Sequence, residues 1–204
     1  DDHPSIDWRT REDLNLLVDS GTSVAHCPSP FARYGHAMAD FGRYYRAGVN
    51  LGFGTDVTPH NLIEEMRLAI ILARVMANNI KTTDAQMVFH AATVGGAKSL
   101  LRDDLGRLEK GAKADLVMVD ITQTIMRPVH DPLKSLIYHA ADRAVKTVFI
   151  DGELAVDNGS VVHLDMSDAA GRLEIAQQRM LKDVPNHDFL GREAKDITPL
   201  SLIL

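Results

Sequence analysis

Val49-Asn50-Leu51-Gly52-Phe53-Gly54-Thr55-Asp56 is the stretch of sequence that decides the fold. It predicts an apolar strand that ends in small residues and is followed at once by a carboxylate. A helix over about residues 61–78 comes next, with Asn61 and Glu64 at the spacing of a capped helix start. Because ligands gather at the carboxyl ends of strands in parallel β/α folds, Asp56 is a candidate for metal binding or proton transfer. An Asp in an isolated pattern of this kind is more often a helix cap or a loop residue, and that alternative stays open here.

The segments on either side of this stretch alternate between helix and strand. Gly21 ends the first predicted helix, Thr83 and Gln86 have the spacing of a helix cap, and Gly95-Gly96 is expected to interrupt the last helix. Short connections between alternating helices and strands favour a parallel sheet or barrel. The predicted elements are a helix over residues 10–20, a strand over residues 22–26, a loop with Pro28, Pro30 and Gly35, and helices over residues 37–47, 83–92 and 95–101.

The pattern changes after Asp103, where short strands on tight turns indicate a small antiparallel sheet. Asp151-Gly152 is a type I′ hairpin signal, and Asp157-Asn158-Gly159 turns the chain again. A helix over residues 167–183 and a polar tail follow. The predicted strands are a short one within residues 105–111 and longer ones over residues 114–119, 145–150, 153–156 and 160–164.

Composition limits the class of protein. The chain has 204 residues, a net charge of −6 and no cluster of Lys or Arg, so nucleic acid is not expected as a partner. Its apolar runs are too short to span a bilayer, so no membrane partner is expected either. Cys27 is the single cysteine, which excludes an internal disulfide and favours a reducing, cytoplasmic location. The first residues, Asp1-Asp2-His3-Pro4, suggest the interior of a longer protein without a signal peptide.

Three patterns then occur in order: His26-Cys27-Pro28, Gly54-Thr55-Asp56, and LGRLEKGAKADLV over residues 105–117. Together they resemble the amidohydrolase superfamily, in the branch of cytosine and guanine deaminases, S-adenosylhomocysteine-type deaminases and triazine chlorohydrolases. The third pattern is the most specific, and the resemblance extends from about Thr10 to Gly159.

The resemblance implies an α/β fold: the carboxyl-terminal part of a metal-dependent (β/α)8 TIM-barrel hydrolase plus part of a small β-sandwich. Strands seven and eight of the barrel would end at His26 and Asp56. The implied domains are barrel over residues 1–103, β-sandwich segment over residues 104–165, and helix and tail over residues 166–204.

The resemblance also implies the chemistry. Asp56 matches the family's eighth-strand Asp, which binds a divalent metal, Zn²⁺ in preference to Fe²⁺, and accepts a proton from the metal-bound water. The water attacks a small heterocycle or cyclic amide and breaks a C–N bond that is not a peptide bond. His26 is the expected substrate neighbour, although a His at a strand end is equally often a core residue.

Some residues differ from the family pattern, and others have a simpler interpretation. Ser29-Pro30-Phe31 places an aromatic residue where the family has a polar amide. Cys27 is not expected to be a nucleophile, because nothing in the sequence pairs it with a base. Asn61 is interpreted as a helix cap, His60 as a residue at the rim of the site, and His90 as a structural histidine.

The family's other metal-binding histidines and its Glu acid/base have no counterpart in this sequence. One ligand is too few for a divalent site, so the isolated chain is expected to be an inactive segment of a homo-oligomeric enzyme. Two strands of an eight-stranded barrel would leave an open edge, so the segment is also expected to self-associate. The alternative is a non-catalytic, amidohydrolase-like scaffold or oligomerisation module.

Overall fold

The computed structural model describes residues 13–202 of the chain. The chain forms two compact units, the first ending at Ser160 and the second beginning at Val161. The first unit contains a parallel strand pair with its helices and an antiparallel sheet, and the second is mainly helical.

Two parallel strands, β1 and β2, form the part of the first unit that carries Asp56. Ser23 pairs with Asn50 and His26 pairs with Phe53, so both strands end at the same edge. Asn61 caps the helix after β2, its side chain accepting a hydrogen bond from the Glu64 amide, as the sequence predicts. The elements are α1 (Asp13–Ser20), β1 (Ser23–His26), α2 (Pro28–Arg33), α3 (Phe41–Ala47), β2 (Asn50–Phe53) and α4 (Leu62–Met76).

A helical segment packs directly on β2 and consists of α5 (Ala85–His90), a π-helical turn (Ala91–Gly95) and α6 (Gly96–Ser99). A Cβ atom on Gly95 would lie 2.0 Å from the Leu51 carbonyl oxygen, so the helix backbone approaches the strand as closely as only glycine allows. The Asn50 side-chain amide, on β2, donates to the Ser99 hydroxyl over 3.0 Å. These contacts fix the register of the segment on the strand.

The hydrophobic core lies between the parallel strands and the helices around them. Phe41 and Ile70 are fully buried in it, and Ile137 joins them from the later part of the unit. The other buried members are Tyr44, Val49, Leu51, Met66, Ala69, Ala73, Ala85, Val88 and Ala91.

The second half of the first unit is a four-stranded sheet in the order β3-β4-β5-β6. Asp151 and Gly152, with φ of 51° and 83°, form the turn between β4 and β5, in agreement with the type I′ prediction. The strands are β3 (Leu116–Val119), β4 (Val145–Ile150), β5 (Glu153–Asp157) and β6 (Ser160–Val161). Between β3 and β4 lie a 3₁₀ turn (Thr124–Met126), α7 (Pro132–Ser135), a π-helical turn (Leu136–Ala140) and a second 3₁₀ turn (Ala141–Ala144).

The second unit contains a long helix, α8 (Met166–His187), and a short one, α9 (Ala194–Ile197). No helix within residues 13–202 is both long and apolar enough to cross a membrane.

Several local predictions are wrong. Residues 28–33 form α2 instead of a loop, and the helix before β2 begins at Phe41 instead of residue 37. Gly95 and Gly96 have helical dihedral angles, so they continue the helix instead of interrupting it. No strand occurs within residues 105–111, and the strand predicted over residues 160–164 is only two residues long.

Two further differences concern helix ends. Asp84 caps α5, its side chain accepting from the Met87 amide, whereas Thr83 is buried and accepts from the Gly42 amide. The first three residues of the helix predicted over residues 10–20 lie outside the described residues.

Candidate active site

The candidate site lies at the carboxyl ends of β1 and β2, where parallel pairing places His26 and the loop containing Asp56 at one edge. The Gly54 amide donates to the His26 carbonyl oxygen over 3.1 Å, which extends the ladder one residue past the strands. The chain therefore leaves β2 towards Asp56 from a fixed starting point beside His26.

Asp56 is exposed and has a left-handed backbone with φ of 57°. This conformation is uncommon for residues other than glycine, and such residues concentrate at functional sites. The Asp56 carboxylate makes no hydrogen bond or ion pair to any other residue within 13–202. Because Asn61 caps α4, Asp56 is not the cap of that helix, and its carboxylate is accessible to bind a cation or a proton.

His26 is 9% exposed and packs between two aromatic rings, with ring centroids 5.6 Å from Phe41 and 5.7 Å from Phe53. Burial lowers the pKa of His26 to about 4, so its imidazole is neutral at pH 7. No other residue of the described chain hydrogen-bonds to its ring nitrogens.

An apolar cavity of about 560 Å³ lies beside these strand ends. His26, Cys27 and Pro28 line it from the β1 side, and Phe31 of α2 lines it at the position where the family has a polar amide. Asp56 is not among the lining residues, so the structure brings His26, but not the Asp56 side chain, to the cavity wall.

Cys27 lines the cavity and is near enough to Asp56 and Glu65 for their charges to act on its thiol. Burial raises the pKa of the Cys27 thiol, and the negative charges of Asp56 and then Glu65 raise it further. A thiol with a raised pKa is a poor nucleophile at neutral pH, which agrees with the sequence interpretation.

Glu65 is a site residue that the sequence analysis missed. It lies in the first turn of α4, is 2% exposed, and its Oε2 accepts a hydrogen bond from the Ser29 amide over 2.8 Å. Burial raises the pKa of Glu65, while the Ser29 hydrogen bond and the charge of Arg33 oppose this shift. A signal was present in the sequence, because Glu65 shares the i, i+4, i+8 spacing of Ala69 and Ala73 on the buried face of the helix.

The remaining polar residues lie in the loop that carries Asp56 or on helices α2 and α5. Arg33 donates to the Thr58 carbonyl oxygen over 2.7 Å, and Thr55 shares a 2.8 Å hydrogen bond with exposed His60. His60 is therefore hydrogen-bonded within the loop that carries Asp56, and its place at the rim of the site stays a prediction. His90 is exposed on α5 and packs edge-on against Tyr45.

A divalent metal needs about three or four protein ligands, so the donors in this region test whether the site could hold one. Within residues 13–202, no group of three His, Cys, Asp or Glu side chains is arranged to bind a metal. The exposed oxygens of Asp56 are chemically suited to serve as one ligand, and the described residues do not complete the set.

A protein-family model described as the amidohydrolase family matches residues 3–155 of this chain. The 5'-deoxyadenosine deaminase of Methanosphaera stadtmanae is 31% identical over 177 residues, which cover 85% of this chain and 41% of that protein. The 5-methylthioadenosine/S-adenosylhomocysteine deaminase of Acetivibrio thermocellus is 30% identical, with coverage of 83% and 41%.

Solved structures of two zinc-containing enzymes are also similar to this chain. An adenosine deaminase from Xanthomonas campestris with bound zinc superposes with a TM-score of 0.78 at 32% identity, covering 84% of this chain and 40% of that one. Atrazine chlorohydrolase from Arthrobacter aurescens, complexed with zinc, superposes with a TM-score of 0.75 at 30% identity, with coverage of 82% and 38%.

The chain thus spans about two fifths of the length of the curated relatives that it matches. The family model covers three quarters of the chain, and the described residues have the mixed helix-and-strand fold of the matching structures. The chain belongs to the amidohydrolase family.

Proposed function

We propose that this chain is the carboxyl-terminal part of a metal-dependent enzyme that hydrolyses a C–N bond other than a peptide bond. The substrate class is a small heterocycle or cyclic amide, and the reaction is of the deaminase type. The curated relatives named above are deaminases of adenosine derivatives, which supports this class. The single observation that carries the proposal is the exposed, left-handed Asp56 directly beyond β2, next to the end of β1.

In this proposal, β1 and β2 are the seventh and eighth strands of a (β/α)8 barrel, within a domain that covers residues 1–103. The sheet β3–β6 belongs to a small β-sandwich over residues 104–165, and residues 166–204 form a helix and tail. Parallel pairing of β1 with β2 and helices packed around them support the barrel assignment.

Asp56 would be one ligand of a divalent metal, Zn²⁺ in preference to Fe²⁺, with the other ligands outside the described residues. When bound, such a metal lowers the pKa of a coordinated water from about 15.7 towards about 7. Asp56 would accept a proton at its carboxylate and pass it to the leaving amine. The absence of competing hydrogen bonds to this carboxylate within residues 13–202 supports both roles.

His26 would contact the substrate from the cavity wall. Its neutral imidazole can both donate and accept a hydrogen bond, which suits a polar heterocycle. The two flanking rings hold the His26 ring in place, and the apolar cavity excludes water from the face of a bound ring.

The partner of the complete enzyme would be a small molecule, with no role for nucleic acid or a membrane. We also propose that the complete enzyme is a homo-oligomer, which native mass spectrometry would test directly. The single cysteine supports a reducing, cytoplasmic location.

The experiment that tests the proposal is metal analysis combined with ammonia release from a panel of adenosine derivatives and other heterocycles. It uses the complete protein that carries this chain. We expect bound zinc and activity on at least one compound, with kcat reduced by about 100-fold or more in Asp56→Asn. The matched control is His60→Gln at the rim, which should retain zinc and most of the activity.

The same experiment separates the enzyme from the non-catalytic scaffold. A complete protein that binds no metal, releases no ammonia and behaves identically with and without Asp56 would be a scaffold or oligomerisation module.

A further inference from the structure

Glu65 has an unusual environment for a carboxylate. It is 2% exposed and shares its helix face with Met66 and Ala69, which belong to the hydrophobic core. No residue of the described chain forms an ion pair with it, although the positive charge of Arg33 is near enough to act on it. Burying a carboxylate costs free energy unless hydrogen bonds stabilise it. The contacts of Glu65 therefore indicate its role.

The contact that holds Glu65 joins two distant parts of the chain. Oε2 of Glu65 accepts from the Ser29 amide, 36 residues earlier. Pro28 and Pro30 flank Ser29 and lack an N–H group, so Ser29 supplies the only amide donor among these three residues. Ser29 is therefore the residue of this segment that holds Glu65, through its amide and with a further contribution from its side chain to the pKa of Glu65.

Four other helix starts within residues 13–202 are capped locally. Asp40, Asn61, Asp84 and Asp131 each accept a hydrogen bond from an amide three residues later. The residue before α2 is Cys27, which makes no such bond. A local cap would pair the first amides of α2 without burying a charge. The Glu65–Ser29 hydrogen bond therefore has a role beyond capping α2.

What it adds is a third connection between the two segments at the ends of the parallel strands, residues 26–33 after β1 and residues 54–65 after β2. The loop of residues 54–61, which carries Asp56, is bonded at its start by the Gly54 amide to the His26 carbonyl oxygen. In the middle of this loop, the Thr58 carbonyl oxygen accepts a hydrogen bond from Arg33 of α2. Glu65, in the first turn of α4 just after this loop, accepts a hydrogen bond from the Ser29 amide.

We propose that Glu65 is a positioning residue, whose hydrogen bond to the Ser29 amide fixes the start of α2 against α4 and so sets the placement of Asp56 relative to His26. The effect on catalysis depends on the proposed function, but the hydrogen bond itself does not. Glu65 touches no reacting atom in this scheme and acts through the two segments.

The test is hydrogen–deuterium exchange by mass spectrometry on the complete protein that carries this chain, with peptides that cover residues 27–31. Few amides contribute in this segment because of its prolines, so the exchange of Ser29 can be measured. Three variants are compared with the unmodified chain: Glu65→Ala, Glu65→Gln and Glu64→Ala. The Gln variant keeps an acceptor oxygen without the charge, and Glu64 is the neighbouring, half-buried residue that pairs with Arg67.

We expect exchange at residues 27–31 to accelerate by about tenfold or more in Glu65→Ala, because a hydrogen bond to a charged group is lost. Glu65→Gln should restore most of the protection, Glu64→Ala should change nothing in this segment, and peptides from β4 should exchange as before. Unchanged exchange in Glu65→Ala, equal acceleration in the Ala and Gln variants, or equal acceleration in every peptide would each overturn the proposal.

Kinetics on the complete protein provide the second measurement. Glu65→Ala should lower kcat more than it raises KM, and Glu65→Gln should recover kcat, because the placement of Asp56 affects the reaction more than substrate binding. If the unmodified protein has no activity, the proposed function fails, and the exchange data still decide whether Glu65 holds the two segments together.

Discussion

A Cβ atom built on Gly54 would lie 2.9 Å from the Sγ atom of Cys27. Gly54 does not have a positive φ, so its backbone accepts alanine and only this contact opposes the change. The two residues follow β2 and β1 respectively, and the close approach keeps the two strand ends together at the candidate site.

Gly54→Ala should destabilise the chain by about 1 kcal/mol, since the Cys27 side chain must move to another rotamer. Adding Cys27→Ala should recover most of this loss, because the smaller side chain leaves room for the new methyl group. Urea denaturation of the two single variants and the double variant measures the coupling. If the two effects on stability are additive, the contact with Cys27 does not determine which side chain fits at position 54.

Gly95→Ala should destabilise the chain by more than about 3 kcal/mol, because the new methyl group would overlap the Leu51 carbonyl oxygen of β2. The neighbouring Gly96→Ala is the matched control. A Cβ atom there would lie 3.7 Å from the nearest atom, an ordinary contact, and alanine favours a helix by about 1 kcal/mol over glycine. Opposite signs in urea denaturation are expected, and similar losses in both variants would contradict the close packing on β2.

Replacing Asp56 by glycine or by alanine removes the same carboxylate. The two residues differ in how easily they adopt the left-handed backbone conformation found at position 56. Asp56→Gly should be more stable than Asp56→Ala by about 1 kcal/mol, since only glycine adopts this conformation without a steric cost. Thermal or urea unfolding measures the difference. Equal stabilities would mean that the left-handed conformation is lost in the variants. Both should be inactive in the complete protein if the proposed role of Asp56 is correct.

His26 should make stability depend on pH. Its pKa is about 4 in the folded chain and 6.5 when exposed, so between these values the unfolded state binds more protons than the folded state. Stability contributed by the neutral ring is therefore complete above pH 6.5 and is lost as the pH falls towards about 4. The loss is about 3 kcal/mol at most.

The measurement is urea denaturation between pH 4 and 7 for the unmodified chain, His26→Gln and, as the control, His60→Gln. Glu65, with its raised pKa, contributes in the opposite direction, but it is present in all three proteins, so their difference isolates His26. The pH dependence should become flatter in His26→Gln alone. A parallel dependence in all three would contradict the buried, neutral state of His26.

Elements with a strong local signal were predictable from the sequence. The Asn61 cap, the left-handed Gly21 after α1 and the Asp151-Gly152 turn each depend on residues a few positions apart. The position of His26 and the Asp56 loop at one edge of the strand pair was also predictable, because neighbouring parallel strands end at the same edge. Local chemistry determined these features.

The errors arose where distant contacts override local signals. The sequence around Pro28 and Pro30 suggests a loop, yet it forms α2, to which Glu65 contributes a hydrogen bond from 36 residues away. Glycines usually weaken a helix, but Gly95 is required in one because β2 lies so close. Within the predicted β-sandwich segment, residues 120–144 gave no prediction of a helix or strand, although Met126 and Ile137 there are fully buried.

The π-helical turn over Ala91–Gly95 has a consequence for the tolerance of this gene to length changes. Successive residues of an α-helix are rotated by about 100° around its axis. A π-helical turn holds one residue more than an α-helical turn, so deleting one codon within it would restore a regular α-helix and leave the later residues facing as before. Deleting one of residues 96–98, which are regular α-helix, would instead rotate the next residues by that angle. That deletion would turn Ser99 away from Asn50, so one-residue deletions should be tolerated within the π-helical turn and eliminated just after it.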